Sequence, residues 1–148
     1  TKGNIIPDKV QISGTLRTLK PSTRKEVKKQ IEAVAINTAK ALGGDLRLYF
    51  NEGPPSIKVD KKLQALLEET IGDLFTKDAI KYRLPSMGGE DFSFYSYEVP
   101  SVFFRLGTNS SLDTSYSNHN PLFDVDEKAF LYGMAVLSQL VQNYLDRI

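Results

Sequence analysis

Residues 9–55 hold the pattern that most restricts the fold: an alternating segment, a helical segment and a second alternating segment, closed by two prolines. From Lys9 to Arg17, Val10, Ile12, Gly14 and Leu16 fall on one face and Gln11, Ser13, Thr15 and Arg17 on the other. A period of two predicts a strand with one face turned to a core. Asn4-Ile5-Ile6-Pro7-Asp8 reads as a turn leading into it, because the residue before a proline is pushed to extended conformations. Pro21-Ser22-Thr23 breaks the strand and opens a helix, with Thr23 and Glu26 spaced as a capping box. Val27, Ile31, Val34, Ala35, Thr38 and Leu42 recur at helical spacing, while Arg24, Lys25, Lys28 and Lys29 lie largely off that stripe and predict a solvated face. Gly43-Gly44 predicts the stop. Leu46, Leu48 and Phe50 then mark a second strand, which ends at Gly53-Pro54-Pro55. Strand, helix and strand make half of a split β-α-β sandwich. The double proline stiffens the chain and cannot extend a ladder, so it marks the candidate boundary.

Beyond that boundary the periodicity is mostly helical. A helix is predicted over Lys61 to Phe75, burying Leu63, Leu66, Leu67, Thr70, Ile71 and Leu74. Tyr82 to Leu84 is a candidate short strand, and Met87-Gly88-Gly89 a flexible turn. Glu90-Asp91 opens a short aromatic helix, where carboxylates suit the positive end of the helix dipole. The apolar run Val102 to Leu106 predicts a strand buried on both faces. A polar loop follows from Thr108 to Ser117, of a length that is often functional. Asp124 and Glu127 are spaced as a cap for a last helix, with Phe130, Met134, Leu137, Val141, Tyr144 and Ile148 on its core side.

Composition excludes several classes of function. Nineteen basic against eighteen acidic residues leave a net charge of +1, which predicts no attraction to nucleic acid or to an anionic membrane. No run of about 18 apolar residues exists to span a bilayer. The chain has no cysteine, hence no disulfide, thiolate metal site or cysteine nucleophile, a usage that fits a reducing, cytoplasmic compartment. The first residue is Thr1, and the opening segment lacks a signal-peptide layout. The expectation is that further chain precedes it in a parent protein.

The candidate chemistry gathers on few residues. His119 is the sole histidine, set between two asparagines and followed by Pro121 in a polar loop. A lone loop histidine is more often a surface residue than a ligand, and one imidazole cannot hold a catalytic metal, which needs about three protein ligands. Arg17 reads either as a solvated sheet-face cation or as a fork for a carboxylate. Asn4, Glu90 and Asp91 complete the polar set, and Gly88 and Gly89 let a ligand approach the backbone.

In order, NIIPD, GTLRT, MGGEDF, VPSVFFRLG and HNPLFDVDEKAF resemble the C-terminal part of the peptidase family M20 amidohydrolases, in the branch with hippurate hydrolases, indole-acetyl amino-acid hydrolases and N-acetyl-diaminopimelate deacetylases. The resemblance covers essentially the whole chain. It implies an α/β class with an α+β lid: residues 1–54 as the second half of a ferredoxin-like lid and dimerisation domain, and residues 55–148 as the C-terminal segment of a metallopeptidase-like α/β catalytic domain. It places the His-x-Cys-Gly-His-Asp motif, the paired glutamates and the general base upstream, and so implies a fragment that is inactive and binds no metal by itself. In the intact protein it implies two divalent ions (zinc, manganese, nickel or cobalt), an N-acyl amino acid as substrate and a homodimer formed through the lid. By the same resemblance His119 is a metal ligand, in a block usually written His-Ser-Pro-x-Phe and here His119-Asn120-Pro121-Leu122-Phe123. Asn4 and Arg17 reach the substrate's oxyanion and carboxylate, and Gly88, Gly89, Glu90 and Asp91 match the block that lines the cleft, with helix capping or support of the residues that touch the ligand the favoured part for the two acids. The alternative is a non-catalytic dimerisation or interaction module derived from the same family.

Overall fold

The computed structural model describes residues 3–147. Ile148, expected on the core side of the last helix, lies outside them. The chain divides into two compact units, one running up to Ser56 and including Pro85–Gly89, the other comprising Ile57–Leu84 and the chain from Glu90 onward. Four α-helices carry the regular structure: α1 (Pro21–Ala41), α2 (Lys61–Leu74), α3 (Phe92–Glu98) and α4 (Lys128–Leu145), with a short 3₁₀ turn at Lys77–Ala79.

No ladder-paired strand occurs among the described residues. The strands expected at 9–17, 46–50, 82–84 and 102–106 are therefore absent, and with them the sheet of the α/β expectation. Alternation specifies which face a strand would bury, whereas the strand itself exists through hydrogen bonds to a neighbour. Val10 and Ile12 are instead exposed, Ile12 by 91%.

In the first unit the chain's local signals act on α1. It begins two residues before Thr23, on Pro21, whose fixed φ and missing N–H suit the first helical turn. The capping box expected at Thr23 and Glu26 is not formed; Lys20 is the N-cap, without a side-chain bond. The stop is as expected. Gly43 takes φ +72°, its N–H reaches the Lys40 carbonyl at 3.1 Å, and the Gly44 N–H reaches the Ala39 carbonyl at 2.9 Å, the two bonds of a Schellman end. α1 has no buried residue. Arg24 and Lys28, one turn apart, are not on a purely solvated face: Arg24 donates to the Gly53 and Pro54 carbonyls at 3.3 and 3.1 Å, and Lys28 pairs with Glu52 and lies over the Phe50 ring.

The second unit is organised by α2 against α4. Asp60 caps α2, its carboxylate accepting the Lys62 and Leu63 N–H groups at 2.9 and 3.0 Å. Leu66, Leu67 and Thr70 are buried, as the helical period predicts. The buried residues of α4 are Ala129, Gly133 and Val136. This corrects the expected core stripe, for Phe130, Met134, Leu137, Val141 and Tyr144 are all 46–57% exposed. Gly133 packs against the chain after α3, for a Cβ there would stand 3.0 Å from Leu106 Cδ2. Asn143 Nδ2 donates to the buried Thr70 Oγ1 at 2.9 Å, Phe75 meets Tyr132 edge to face, and Arg147 pairs with Glu69 at 2.7 Å. These pairs run in opposite sequence directions, so the two helices are antiparallel. α3 is seated by Ser96, which accepts the Lys58 N–H at 3.0 Å, and by Phe92 against Phe103. Residues 102–104 are half-buried and 105–106 exposed, in place of the strand expected to be buried on both faces.

Candidate functional site

The residues singled out in the sequence fall into separate groups, each shaped by its own local signals. His119 lies at the centre of two consecutive turns. The Asn120 N–H closes on the Ser117 carbonyl at 3.1 Å, making Asn118 and His119 the central pair of the first turn. His119 has φ +71°, at the third turn position, where a type II turn requires positive φ and ordinarily uses glycine or asparagine. The second turn starts at once: the Phe123 N–H reaches the Asn120 carbonyl at 2.9 Å, and the Leu122 N–H reaches Asn120 Oδ1 at 2.8 Å. Pro121 sits at the position its ring geometry favours. His119 is the only non-glycine with positive φ among the described residues. A histidine held there costs roughly 1–3 kcal/mol of backbone strain, of the kind that gathers at functional sites. The imidazole is exposed.

The loop leading to His119 is tied at its base. The Asp126 N–H bonds to the Thr108 carbonyl at 2.9 Å, and Asp126 Oδ1 accepts the Lys128 N–H at 2.9 Å. A hydrogen bond from Ser110, followed by the Lys128 amide, holds the Asp126 carboxyl below its usual range. Asp126 thus takes the part expected of Asp124, whose carboxylate caps the Val125 N–H instead; the N-cap Glu127 makes no side-chain bond.

Glu90 does what an acid at a helix start does locally: Oε1 accepts the Phe92 N–H at 3.1 Å, at the entry to α3. Asp91 is the N-cap of α3 without a side-chain cap bond.

In the other unit, Arg17 Nη1 donates to the Met87 carbonyl at 2.7 Å across 70 residues of sequence. Two sequence candidates, Arg17 and the Gly88-Gly89 segment, are brought together here. Gly89 lies against Pro54, whose Cγ is 3.5 Å from where a Cβ would stand. Asn4 is exposed in a turn near the start of the same unit. The Met87 carbonyl escaped sequence reading because a backbone acceptor carries no residue signature. The Asn120-Pro121 pair is a turn signal and marks the second turn from sequence alone.

Among the described residues no group of three or more histidine, aspartate or glutamate side chains is placed to hold a metal ion.

In the comparison with known families, the description "Peptidase family M20/M25/M40" matches residues 10–143, and the chain belongs to that family. It is 33% identical over 98% of its length to "Probable hydrolase sll0100" of Synechocystis, of which it covers 37%. It is 32% identical over 96% of its length to IAA-amino acid hydrolase ILR1-like 4 of Arabidopsis thaliana, covering 33% of that protein. With N-acetyl-L-cysteine deacetylase of Bacillus subtilis it shares 30% identity over 97% of its length and 33% of the relative's. The chain thus spans about a third of the length of the curated relatives it matches. No solved structure matches it significantly. Among the described residues no helix is long and apolar enough to cross a membrane.

Proposed function

We propose that the chain is the C-terminal part of a metal-dependent amidohydrolase that cleaves the amide bond of an N-acyl amino acid. In this reading residues 1–54 belong to the lid and dimerisation domain and residues 55–148 to the catalytic domain. The observation that carries it is the backbone of His119, fixed at positive φ between two turns inside the block His119-Asn120-Pro121-Leu122-Phe123. Turn bonds at Ser117 and Asn120 supply the constraint that keeps so disfavoured a conformation, and the exposed ring is then free to bond an ion. Among the described residues no group of three or more histidine, aspartate or glutamate side chains could hold a metal ion, so in this reading His119 serves as one ligand of a site whose remaining members lie in other chain.

The substrate assignment draws on the relatives, two of which are named for indole-acetyl amino-acid and N-acetyl-cysteine hydrolysis, and on the chemistry of this chain's side chains. Such substrates carry a free carboxylate beside the amide. Arg17 offers a planar fork for it, and the Asn4 amide can donate to the negative charge that develops on the amide oxygen. Gly88, Gly89 and Glu90 would border the same cleft, the glycines by admitting the ligand to the backbone and Glu90 by fixing the start of α3. The location is cytoplasmic and the assembly a homodimer through the lid.

The exposed surface supports the view that other polypeptide covers this chain. Its accessible surface is 12831 Å², against roughly 7,600 Å² for a folded monomer of this mass, and two independently folded units would expose only roughly 9,100 Å². That surplus also fits the second reading, a non-catalytic module that associates through its apolar faces. One experiment separates them. In a protein of the relatives' full length, His119→Ala is expected to lose one metal equivalent and nearly all turnover on N-acyl amino acids. Unchanged metal stoichiometry with normal kinetics would sink the ligand assignment, and absence of hydrolysis in the unmodified full-length protein would favour the module.

A further inference from the structure

Arg17 is exposed and could have extended into solvent, yet its guanidinium is bonded to a backbone carbonyl 70 residues away. The carbonyl belongs to Met87, immediately before two glycines. A diglycine has the widest backbone freedom in the chain and no side chain with which to pack itself down. Residues 85–89 are exposed throughout, so their burial does not fix them. A charge-assisted bond from a planar, always-charged donor is the stronger kind of tie available to such a segment.

We propose that Arg17 is a positioning residue for the Met87-Gly88-Gly89 backbone: its hold on the Met87 carbonyl keeps the diglycine segment in one conformation. The functional meaning of that segment as a cleft wall rests on the amidohydrolase reading above; the anchoring itself does not. A guanidinium has five N–H donors, so one can hold the Met87 carbonyl while others face an anion. Arg17 then carries two separable roles, one toward a ligand carboxylate and one toward the backbone beside it.

Nuclear magnetic resonance on the 148-residue chain tests the anchoring without any assay of turnover. In the unmodified chain the Gly88 and Gly89 amides should show order parameters near those of rigid backbone, about 0.85. In Arg17→Ala they should fall below about 0.6, the range of flexible backbone, and the Met87 carbonyl carbon signal should move upfield. Arg17→Lys, which keeps a cationic donor on a different geometry, should restore part of both changes. Unaltered glycine order and an unmoved Met87 signal in Arg17→Ala would overturn the proposal, as would a lysine variant indistinguishable from alanine. Should Arg17→Ala fail to fold, the unmodified chain decides: slow rotation of the Arg17 guanidinium supports the anchor, and rotation as fast as in free arginine overturns it.

In the full-length protein the two roles separate kinetically. Loss of the fork raises KM for carboxylate-bearing substrates alone, whereas loss of the anchor lowers kcat for these and for amide-capped analogues alike. An Arg17→Ala enzyme with unchanged kcat on both would also overturn the anchor. If no hydrolysis is found at all, the resonance measurements still stand, so the two readings fail separately.

Discussion

α1 and α2 read almost alike in the sequence, each an apolar stripe at helical spacing, and they end in opposite states. α2 buries Leu66, Leu67 and Thr70; α1, half as long again, buries nothing, and leaves Val34 66% and Leu42 83% exposed. The difference is the partner. α2 has α4 running antiparallel beside it, with Asn143 bonded to the buried Thr70. α1 was expected to cover a sheet, and no sheet forms among the described residues. Periodicity names the face a helix will bury, and tertiary structure decides whether anything is there to receive it.

The largest expected effect tests that contrast directly. Leu67→Ala removes a side chain that is 4% exposed and should cost about 2–5 kcal/mol, the range for leucine truncation in a packed interior. Ile31→Ala, on the stripe of α1, removes one that is 37% exposed and should change stability by no more than about 0.5 kcal/mol, the range of surface substitutions. Urea unfolding followed by resonances in each unit measures both. If Ile31→Ala costs as much as Leu67→Ala, α1 is packed in solution and the contrast is broken.

The same distinction explains what the sequence could disclose. Most local signals were legible: Gly43-Gly44 as a helix stop, Glu90 at the head of α3 and the α2 stripe each depend on a few neighbouring residues, although the caps expected at Thr23 and Asp124 did not form as spaced. Signals that need a distant partner failed. Val10 and Ile12 alternate as a strand should, but a ladder needs a second strand, and none is supplied. On α4 the large residues Phe130, Met134 and Leu137 form the more conspicuous stripe, while the residues actually buried are Ala129, Gly133 and Val136. Bulk announces itself in a sequence, and a small buried residue does not. For the site, residue types pointed to His119 and Arg17, and the resemblance gave them roles. The left-handed backbone at His119 and the Met87 carbonyl under Arg17 are geometric facts with no residue-level signature.

A smaller effect sharpens the account of His119. If its backbone is held at φ +71° by the two turns, His119→Gly should relieve the left-handed strain and leave stability equal or higher by up to about 1 kcal/mol. His119→Ala keeps a Cβ and should not gain. Thermal unfolding of the two variants side by side makes the measurement, and a glycine variant clearly less stable than alanine would mean that the turn does not hold in solution. A residue kept where glycine would be more stable is one whose side chain is needed, which is the stability counterpart of the ligand assignment.

The smallest effect lies at the base of the same loop and depends on pH. Asp126 has its carboxyl held below the ordinary range, first by the Ser110 hydrogen bond and then by the Lys128 amide. A folded-state pKa below the unfolded value of about 3.9 means that the unfolded chain binds the proton more tightly. The stabilisation is therefore fully present above that value and is lost as pH falls through the depressed folded pKa. Asp126→Asn should remove it, so that the difference between variant and unmodified chain is seen near neutrality and fades in acid. Ser110→Ala removes the leading cause and should move the Asp126 titration midpoint upward, read from its carboxyl carbon signal. An unmoved midpoint would show that the Lys128 amide alone sets the charge on Asp126. Ser110 would then have no part in fixing the loop that presents His119, and the strain at that histidine would have to be maintained by the turn bonds at Ser117 and Asn120.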